Sequence, residues 1–432
     1  MFKDKKIAIL GFGMEGKDLA NYLLREGAKI FVFDRKNEGD LNFEGVAKNN
    51  LTLICGKDYL RDGLGNFDTI FRSPGVYRNI PEIVKAESEG VTISSAIKLF
   101  FDLSPAKIIG VTGTKGKGTT ATLIYEILRK AGYDVYLAGN IGKPFLELIP
   151  KLKKESLVVL ELSSFQLIDM DESPHIAVVL NITQDHLDWH KDLSEYVSAK
   201  KNIVKFQGKD DFAVINSDYE PPKSFSKQTK AKVVFFSKRQ LADRYKKSLL
   251  LKGEHNWENV AAAVAVSDIL KVSDEAVLKV LTTFRGLEHR LELVGKVKGI
   301  TFYNDSFATG PQPTIAAIRS FDEPLTVILG GSEKFLDYKG LGEEISKAKN
   351  VKFVILIGQV RQKIRIAIKN AGYKGKIIDK GNSSMEEVVR EAFLNTPNGG
   401  VILLSPAAAS FDMFRDYKDR GRKFKSAVKA LG

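Results

Sequence analysis

One cysteine, Cys55, occurs in 432 residues. An internal disulfide is therefore excluded, as is any metal or redox site built on paired cysteines. Long apolar runs are also missing. None approaches the ~20 residues that cross a bilayer, and the opening MFKDKK is not followed by the apolar core and cleavage site of a secretory signal. These absences lead us to expect a cytoplasmic protein with no membrane partner. The charge lacks a concentrated basic stripe: 66 Lys and Arg stand against 53 Asp and Glu, a net +13, yet the lysines are spread along the chain. The densest cluster, RDYKDRGRKFKSAVK, is broken by aspartates. That distribution suits small anionic ligands and argues against a nucleic-acid track. Internal repeats and low-complexity segments are absent too, so no long linker is expected.

What is present is an alternation of strand-like apolar runs with helical patterns, as in KIAILGFG, GKDLANYLLREGA and KIFVFD. This is the pattern of α/β sheets with helices on both faces. At ~100 to 200 residues per domain the length allows two to four compact units. Three blocks are expected, over residues 1–98, 99–287 and 288–432. The last holds the strands TVILGG, KFVILIG and GVILLS.

Gly11, Gly13 and Gly16 follow a strand and open a helix with GxGxxG spacing, and Asp34 ends the next strand. This pattern reads as a dinucleotide fold with Asp34 on a ribose. The same helix N-terminus suits any nucleotide diphosphate, and a glycine turn that only permits close packing fits as well. SPGV, at Ser73–Val76, offers a second turn at the carboxyl end of that sheet.

A second glycine loop, GVTGTKGKGTT, spans residues 110–120. It departs from GxxxxGK[ST] twice: Gly113 precedes Gly116 by only three residues, and Gly118 replaces the hydroxyl after Lys117. A strand, a run of backbone N–H groups, a lysine and a helix N-terminus remain, and together they make a phosphate cradle. Thr119 or Thr120 would supply a magnesium hydroxyl. The plain alternative is that Lys115 and Lys117 are solvated loop charges.

In SLVVLELSSFQL, Glu161 interrupts a core strand. A buried carboxylate needs a strand end or a neighbouring cation. The strand HIAVVLNIT runs into NITQDHLDWH, which places Asp185, His186, Asp188 and His190 on one loop. Carboxyl ends of neighbouring strands line one crevice, so Glu161, His186 and the phosphate loop should converge and hold Mg²⁺. Asp188 and His190 are expected as a solvated pair. Asp192 and Glu195 read as a capping box for the next helix. Lys200 falls on that helix's apolar stripe, where it either snorkels or, desolvated and partly neutral, takes up carbon dioxide as a carbamate, an anionic metal ligand.

GTKGKGTT, GNIGKP, LELSSFQL, NITQDHLD, YVSAKKNI, GEHNWENVAAA, FRGLEHRLE, YNDSFAT and SPAAASFDMFRDYKDRG occur in one order, and with them the chain resembles the Mur ligase family, most closely its D-glutamate-adding branch. The resemblance implies three α/β domains: an N-terminal Rossmann-like one that binds the UDP substrate, a central P-loop NTPase-like one with a mostly parallel sheet, and a C-terminal Rossmann-like one that binds the amino acid. It implies an ATP-dependent amide ligase of peptidoglycan synthesis that acts as a monomer. ATP would phosphorylate the carboxylate of UDP-N-acetylmuramoyl-L-alanine, and the amine of D-glutamate would attack the acyl phosphate through a tetrahedral intermediate.

By residue, the resemblance implies ATP contacts at Gly113, Thr114, Lys115, Gly116, Lys117, Gly118, Thr119 and Thr120, with Asn256, Asn259, Arg290 and Asp305 on the adenine and ribose side. Two Mg²⁺ ions are implied, one on Thr119 and Glu161, the other on His186 and carbamylated Lys200. Lys117, His186 and Lys200 are thus the catalytic candidates. Met14, Glu15, Arg35, Ser73 and Gly75 would hold the uridine diphosphate, which makes the first glycine loop a UDP loop, and Asn140 would touch the muramoyl part. Thr309, Lys334, Ser410 and Tyr417 would contact the glutamate. Phe307 stands where this branch usually has lysine, and Arg35-Lys36 replaces a Thr-Arg pair. A nicotinamide oxidoreductase, a nucleic-acid motor ATPase and a folylpolyglutamate synthetase are the rival readings.

Overall fold

A computed structural model describes residues 1–140 and 144–432. Ile141, Gly142 and Lys143 of the GNIGKP motif lie outside the described residues. The chain divides into two compact bodies, Met1–Ala242 with Glu258–Val280, and Asp243–Trp257 with Leu281–Gly432.

The first body contains two sheets. Strands β1 (Lys6–Leu10), β2 (Lys29–Asp34), β3 (Leu51–Cys55), β4 (Thr69–Arg72) and β5 (Thr92–Ser94) pair in the order β3-β2-β1-β4-β5, all parallel. After Lys6 every residue of β1 is buried, as expected of a parallel strand covered on both faces. Strand order reverses beside β1, so the glycine loop after β1 and the SPGV turn after β4 open into one crevice.

The second sheet is β6 (Lys107–Thr112), β7 (Val135–Gly139), β8 (Leu157–Glu161), β9 (Ile176–Val179), β10 (Phe212–Asn216) and β11 (Lys232–Phe236). Their order is β11-β10-β9-β6-β8-β7, again all parallel. β6 is central, with β8 on one side and β9 on the other. The phosphate loop, Glu161 and the loop containing His186 therefore leave neighbouring strand ends. One apolar core unites these two sheets. The helix Ala96–Leu103, inside which the expected 98/99 boundary falls, buries Ile97, Leu99 and Phe100 in it.

The second body is built on β12 (Glu292–Val297), β13 (Ile300–Asn304), β14 (Leu325–Gly330), β15 (Val351–Ile357), β16 (Lys376–Gly381) and β17 (Val401–Leu404), ordered β12-β13-β17-β14-β15-β16. Only the edge pair β12–β13 is antiparallel, joined through Lys298 and Gly299, both with positive φ (44° and 85°). Asp243–Trp257, inside the second expected block, packs with this body, where Lys252 pairs with Glu323 at 2.7 Å. Among the described residues no helix is long and apolar enough to cross a membrane.

Candidate active site

The first glycine loop is shaped by close backbone approach. A side chain at Gly16 would strike the carbonyl oxygen of Gly11, which itself has φ +87°, so helix Met14–Arg25 can start against the strand only with glycine there. Ser73 Oγ donates to the Gly11 carbonyl at 2.6 Å, tying SPGV to the loop. Asp34 holds the loop with both oxygens: one accepts the Phe12 amide at 2.8 Å and the other the Lys36 amide at 2.9 Å. It braces the loop and also lines the cavity beside it. Met14, Glu15, Arg35, Ser73, Gly75 and Asn140 all line one cavity of about 630 Å³, together with Tyr77, which sequence reasoning missed. Glu15 sits at the helix start with burial pushing its carboxyl up to about 7, and Gln166 Nε2 donates to it at 2.7 Å.

The second glycine loop is held from behind. The helix Lys117–Lys130 starts after Gly116, whose φ is +87° and where a side chain would strike Asn259. Thr114 is a rivet: its amide donates to the Asn181 carbonyl at 2.7 Å, while its hydroxyl accepts from the Thr183 amide at 2.9 Å and lies 2.8 Å from the Tyr196 hydroxyl. Lys117 Nζ curls over the loop to the carbonyls of Gly113 and Thr114, both at 3.0 Å. Lys115, largely exposed, pairs with Asp185 at 3.3 Å. Gly118 is buried, Thr119 half-buried, and buried Thr120 donates to Asn259 Oδ1 at 3.2 Å. Thr120 is thus turned into the protein, and Thr119 is the more exposed of the two loop hydroxyls. Asn259, expected on the base side, lies against the phosphate loop.

Glu161 is the last residue of β8 and is buried, at the strand end expected for it. His186 is exposed, with its ring 4.8 Å from that of Phe165, and its φ of 54° is a strained backbone for a non-glycine residue. Lys200 is 1% exposed and does not snorkel: Nζ donates to the Gly113 carbonyl at 2.9 Å. Burial, and then the Lys117 ammonium, depress its pKa well below the ordinary lysine value, while Asp185 and Glu161 oppose the shift. Among the described residues no three His, Cys, Asp or Glu side chains form a metal cage. Mg²⁺ is characteristically bound by one or two carboxylates with waters and substrate phosphates, and the oxygen donors Thr119 and Glu161 beside a phosphate loop fit it.

One expected pair is not solvated as expected. Asp188 is exposed, but His190 is buried, with burial lowering its pKa, because an aromatic wall of Phe165, Trp189 and Tyr196 closes round the ring. The capping box forms only by half. Asp192 accepts the Glu195 amide at 2.8 Å, but the Glu195 side chain turns to His190 and Tyr77. Arg72, also missed, is wholly buried; it pairs with Asp169 and donates to the carbonyls of Val76 and Phe165, each at 2.6 Å, joining the SPGV turn to the second sheet. Its signal was a charge at the end of the apolar run TIFR.

In the second body the Arg290 guanidinium lies 4.0 Å from the centre of the Phe307 ring, which meets Tyr417 edge-on at 5.0 Å. Thr309 donates its amide to the Phe307 carbonyl at 2.9 Å, Lys334 is exposed and Ser410 is buried. Asn256 donates to the Lys252 carbonyl at 2.7 Å. Asp305 is turned inward: it accepts from Ser405 Oγ at 2.7 Å and the Leu291 amide at 3.1 Å, with burial pushing its carboxyl up to about 7. Arg420, another missed residue, is completely buried and donates to the carbonyls of Ser306 at 2.8 Å and Ala408 at 3.1 Å, bracing the turns beside Phe307 and Ser410.

Three family models match the chain in succession: the Mur ligase MurD-like N-terminal domain over residues 5–95, the Mur ligase middle domain over 111–267 and the Mur ligase glutamate ligase domain over 289–408. A UDP-N-acetylmuramoylalanine--D-glutamate ligase from Acetivibrio thermocellus is 41% identical, across 99% of this chain and 97% of the relative. A protein of the same name from Clostridium tetani is 39% identical with the same coverage. The crystal structure of UDP-N-acetylmuramate-alanine ligase from Thermotoga maritima shares the fold, with a TM-score of 0.60 at 19% identity over 99% of this chain and all of that one.

Proposed function

The chain belongs to the Mur ligase family, and from that premise we propose that it joins D-glutamate to UDP-N-acetylmuramoyl-L-alanine with ATP, a step of peptidoglycan precursor synthesis. One observation carries the reading: full-length relatives named for this reaction match a chain whose first body holds both a nucleotide-sized cavity and a phosphate loop with a buried lysine behind it. The rival nicotinamide reading leaves the second glycine loop and the buried Lys200 behind it without a part.

The UDP end of the first substrate enters the cavity lined by Met14, Glu15, Arg35, Ser73 and Gly75, and its muramoyl part passes Asn140. ATP phosphates lie on the amides of residues 113–120, and Lys117 leaves its loop carbonyls to meet the outer phosphates. The alanine carboxylate oxygen attacks the γ-phosphorus and ADP leaves. The D-glutamate amine then adds to the acyl carbon, and the tetrahedral intermediate collapses with loss of inorganic phosphate and a proton. Thr309, Lys334, Ser410 and Tyr417 contact the amino acid, and Asn256, Asn259, Arg290 and Asp305 are assigned to the nucleoside side. Asp305 acts there through the turns it holds, and Asn259 acts through the phosphate loop, where it accepts from Thr120. One chain with candidate residues for all three substrates suits a cytoplasmic monomer.

Magnesium supplies neutralisation of phosphate charge when bound. Thr119 and Glu161 would hold one ion, His186 and carbamylated Lys200 a second. For the carbamate, the neutral Lys200 amine adds to carbon dioxide and releases one proton. Its burial and the Lys117 charge both favour the neutral amine, and the carboxylate formed relieves the repulsion between the lysines.

The test is phosphate release from ATP with UDP-N-acetylmuramoyl-L-alanine and a panel of D- and L-amino acids. Release that depends on D-glutamate is expected. No release with any pairing would overturn the assignment.

A further inference from the structure

Three segments meet, and a fourth is linked through one of them, at a side chain to which the reaction above gives no part. His190 is buried, and both of its ring nitrogens are engaged. Nδ1 lies 3.2 Å from Oε2 of Glu195, and Nε2 lies 2.9 Å from Oγ of Ser164. Glu195 also accepts the Lys191 amide at 2.9 Å and, through Oε1, the Tyr77 hydroxyl at 2.8 Å. An ionised carboxylate only accepts, so Nδ1–H donates to it, and Nε2 of the neutral ring accepts from Ser164. A line of hydrogen bonds thus runs Tyr77–Glu195–His190–Ser164.

Each member belongs to a segment that carries site residues. Tyr77 lines the cavity after β4. Ser164 opens the short helix just beyond Glu161. Glu195 lies on the helix Leu193–Lys205, which carries Lys200. His190 closes the turn that begins at His186, donating its own amide to the His186 carbonyl at 3.0 Å. That turn holds His186 at φ 54°, a left-handed backbone that persists only where its surroundings fix it. One side is fixed by the Thr183–Thr114 bond at 2.9 Å, the other by His190.

Ser164, His190 and Glu195 also have the connectivity of a hydrolytic triad. Ser164 is 1% exposed, so its hydroxyl is sealed from any substrate, and the hydrolytic reading fails.

The geometry points to His190 as a positioning residue of the ligase: by bonding Ser164 and Glu195 it holds the strand end of Glu161, the turn of His186 and the helix of Lys200 in one arrangement, tied to the first substrate's cavity through Tyr77. The inference rests on the metal assignment made above. Ser164→Ala and His190→Asn cut the same bond from its two sides, since asparagine keeps a donor near the Nδ1 position. Binding of a non-hydrolysable ATP analogue to the full chain, measured calorimetrically with and without Mg²⁺, separates positioning from general stability. We expect the Mg²⁺-dependent gain in affinity to fall about tenfold in each variant, no further in the double variant, and affinity without Mg²⁺ to stay unchanged. Turnover should drop similarly, with KM for the UDP substrate constant. A gain that survives in Ser164→Ala while melting temperature falls would make the bond merely structural and overturn the inference. Additive losses in the double variant would do the same. His186→Ala is the control: if it keeps the full gain, the metal assignment itself goes, and the inference with it.

Discussion

Lys200 and Gly113 are in direct contact: the lysine Nζ lies 2.9 Å from the glycine carbonyl oxygen, where β6 gives way to the phosphate loop. A charged ammonium there faces Lys117, which reaches the same carbonyl at 3.0 Å. The arrangement is relieved if one of the two amines is neutral or converted to an anion.

Lys200→Ala should therefore lose activity by about 100-fold or more, on the scale of removing a metal-holding group. Short carboxylates such as formate or acetate should restore part of it by replacing the carbamate oxygens. Full activity without such additives would assign Lys200 to packing alone.

Lys117→Ala should lower acyl-phosphate formation by at least about 10³-fold, since the outer phosphates lose their cation. Rapid-quench measurement of the phosphorylated intermediate checks this. Near-normal formation would show that the loop amides suffice.

Phe307→Lys tests the aromatic position between Arg290 and Tyr417. It removes a cation–π contact of about 0.5–1 kcal/mol and puts a second positive charge beside the guanidinium. We expect a slightly lower melting temperature and sharper discrimination for D-glutamate over neutral and cationic acceptors. An unchanged acceptor profile would place Phe307 outside the amino-acid pocket.

Asp18 supplies a pH test. Burial pushes its carboxyl up to about 6, and its Oδ2 accepts the Leu146 amide at 2.9 Å. The folded state holds this proton more tightly than the unfolded chain, whose aspartate titrates near ~3.9. The stability contribution is thus complete below about pH 4 and is lost as pH rises through about 6, by about 2–3 kcal/mol. Asp18→Asn keeps an acceptor for Leu146 and cannot ionise, so its melting temperature should gain on the wild type as pH increases across that window. Parallel melting curves for the two proteins would exclude the linkage.

Much of the site was legible because its chemistry is local. Glycines mark both loops, and Glu161 was conspicuous as a charge at the end of an apolar strand. Arg72 carries the same signal with opposite sign, but its partners Asp169 and Phe165 are over 90 residues away and no spacing rule links them. His190 read as solvated because its loop is polar. The ring is buried because Phe165 and Tyr196, on separate helices, close over it. Asp192 capped its helix as the pattern implied, whereas Glu195 found partners from outside the helix that the pattern could not contain. Arg420 sits in the most charged stretch of the chain and is nevertheless sealed inside, held by main-chain carbonyls that sequence does not distinguish.

The antiparallel edge of the third sheet bears on how the second body assembles. β12 and β13 meet across two residues, Lys298 and Gly299, whereas β13 finds β17 only by pairing Thr301 with Val401. Closing that second loop costs about 3 kcal/mol more in chain entropy than closing the first, since the cost grows as the logarithm of loop length. Every other strand pair among the described residues is parallel and needs a crossover. The hairpin at the sheet's margin is thus the strand pairing of this body with the shortest loop to close, and ordering can begin at its rim and proceed inward.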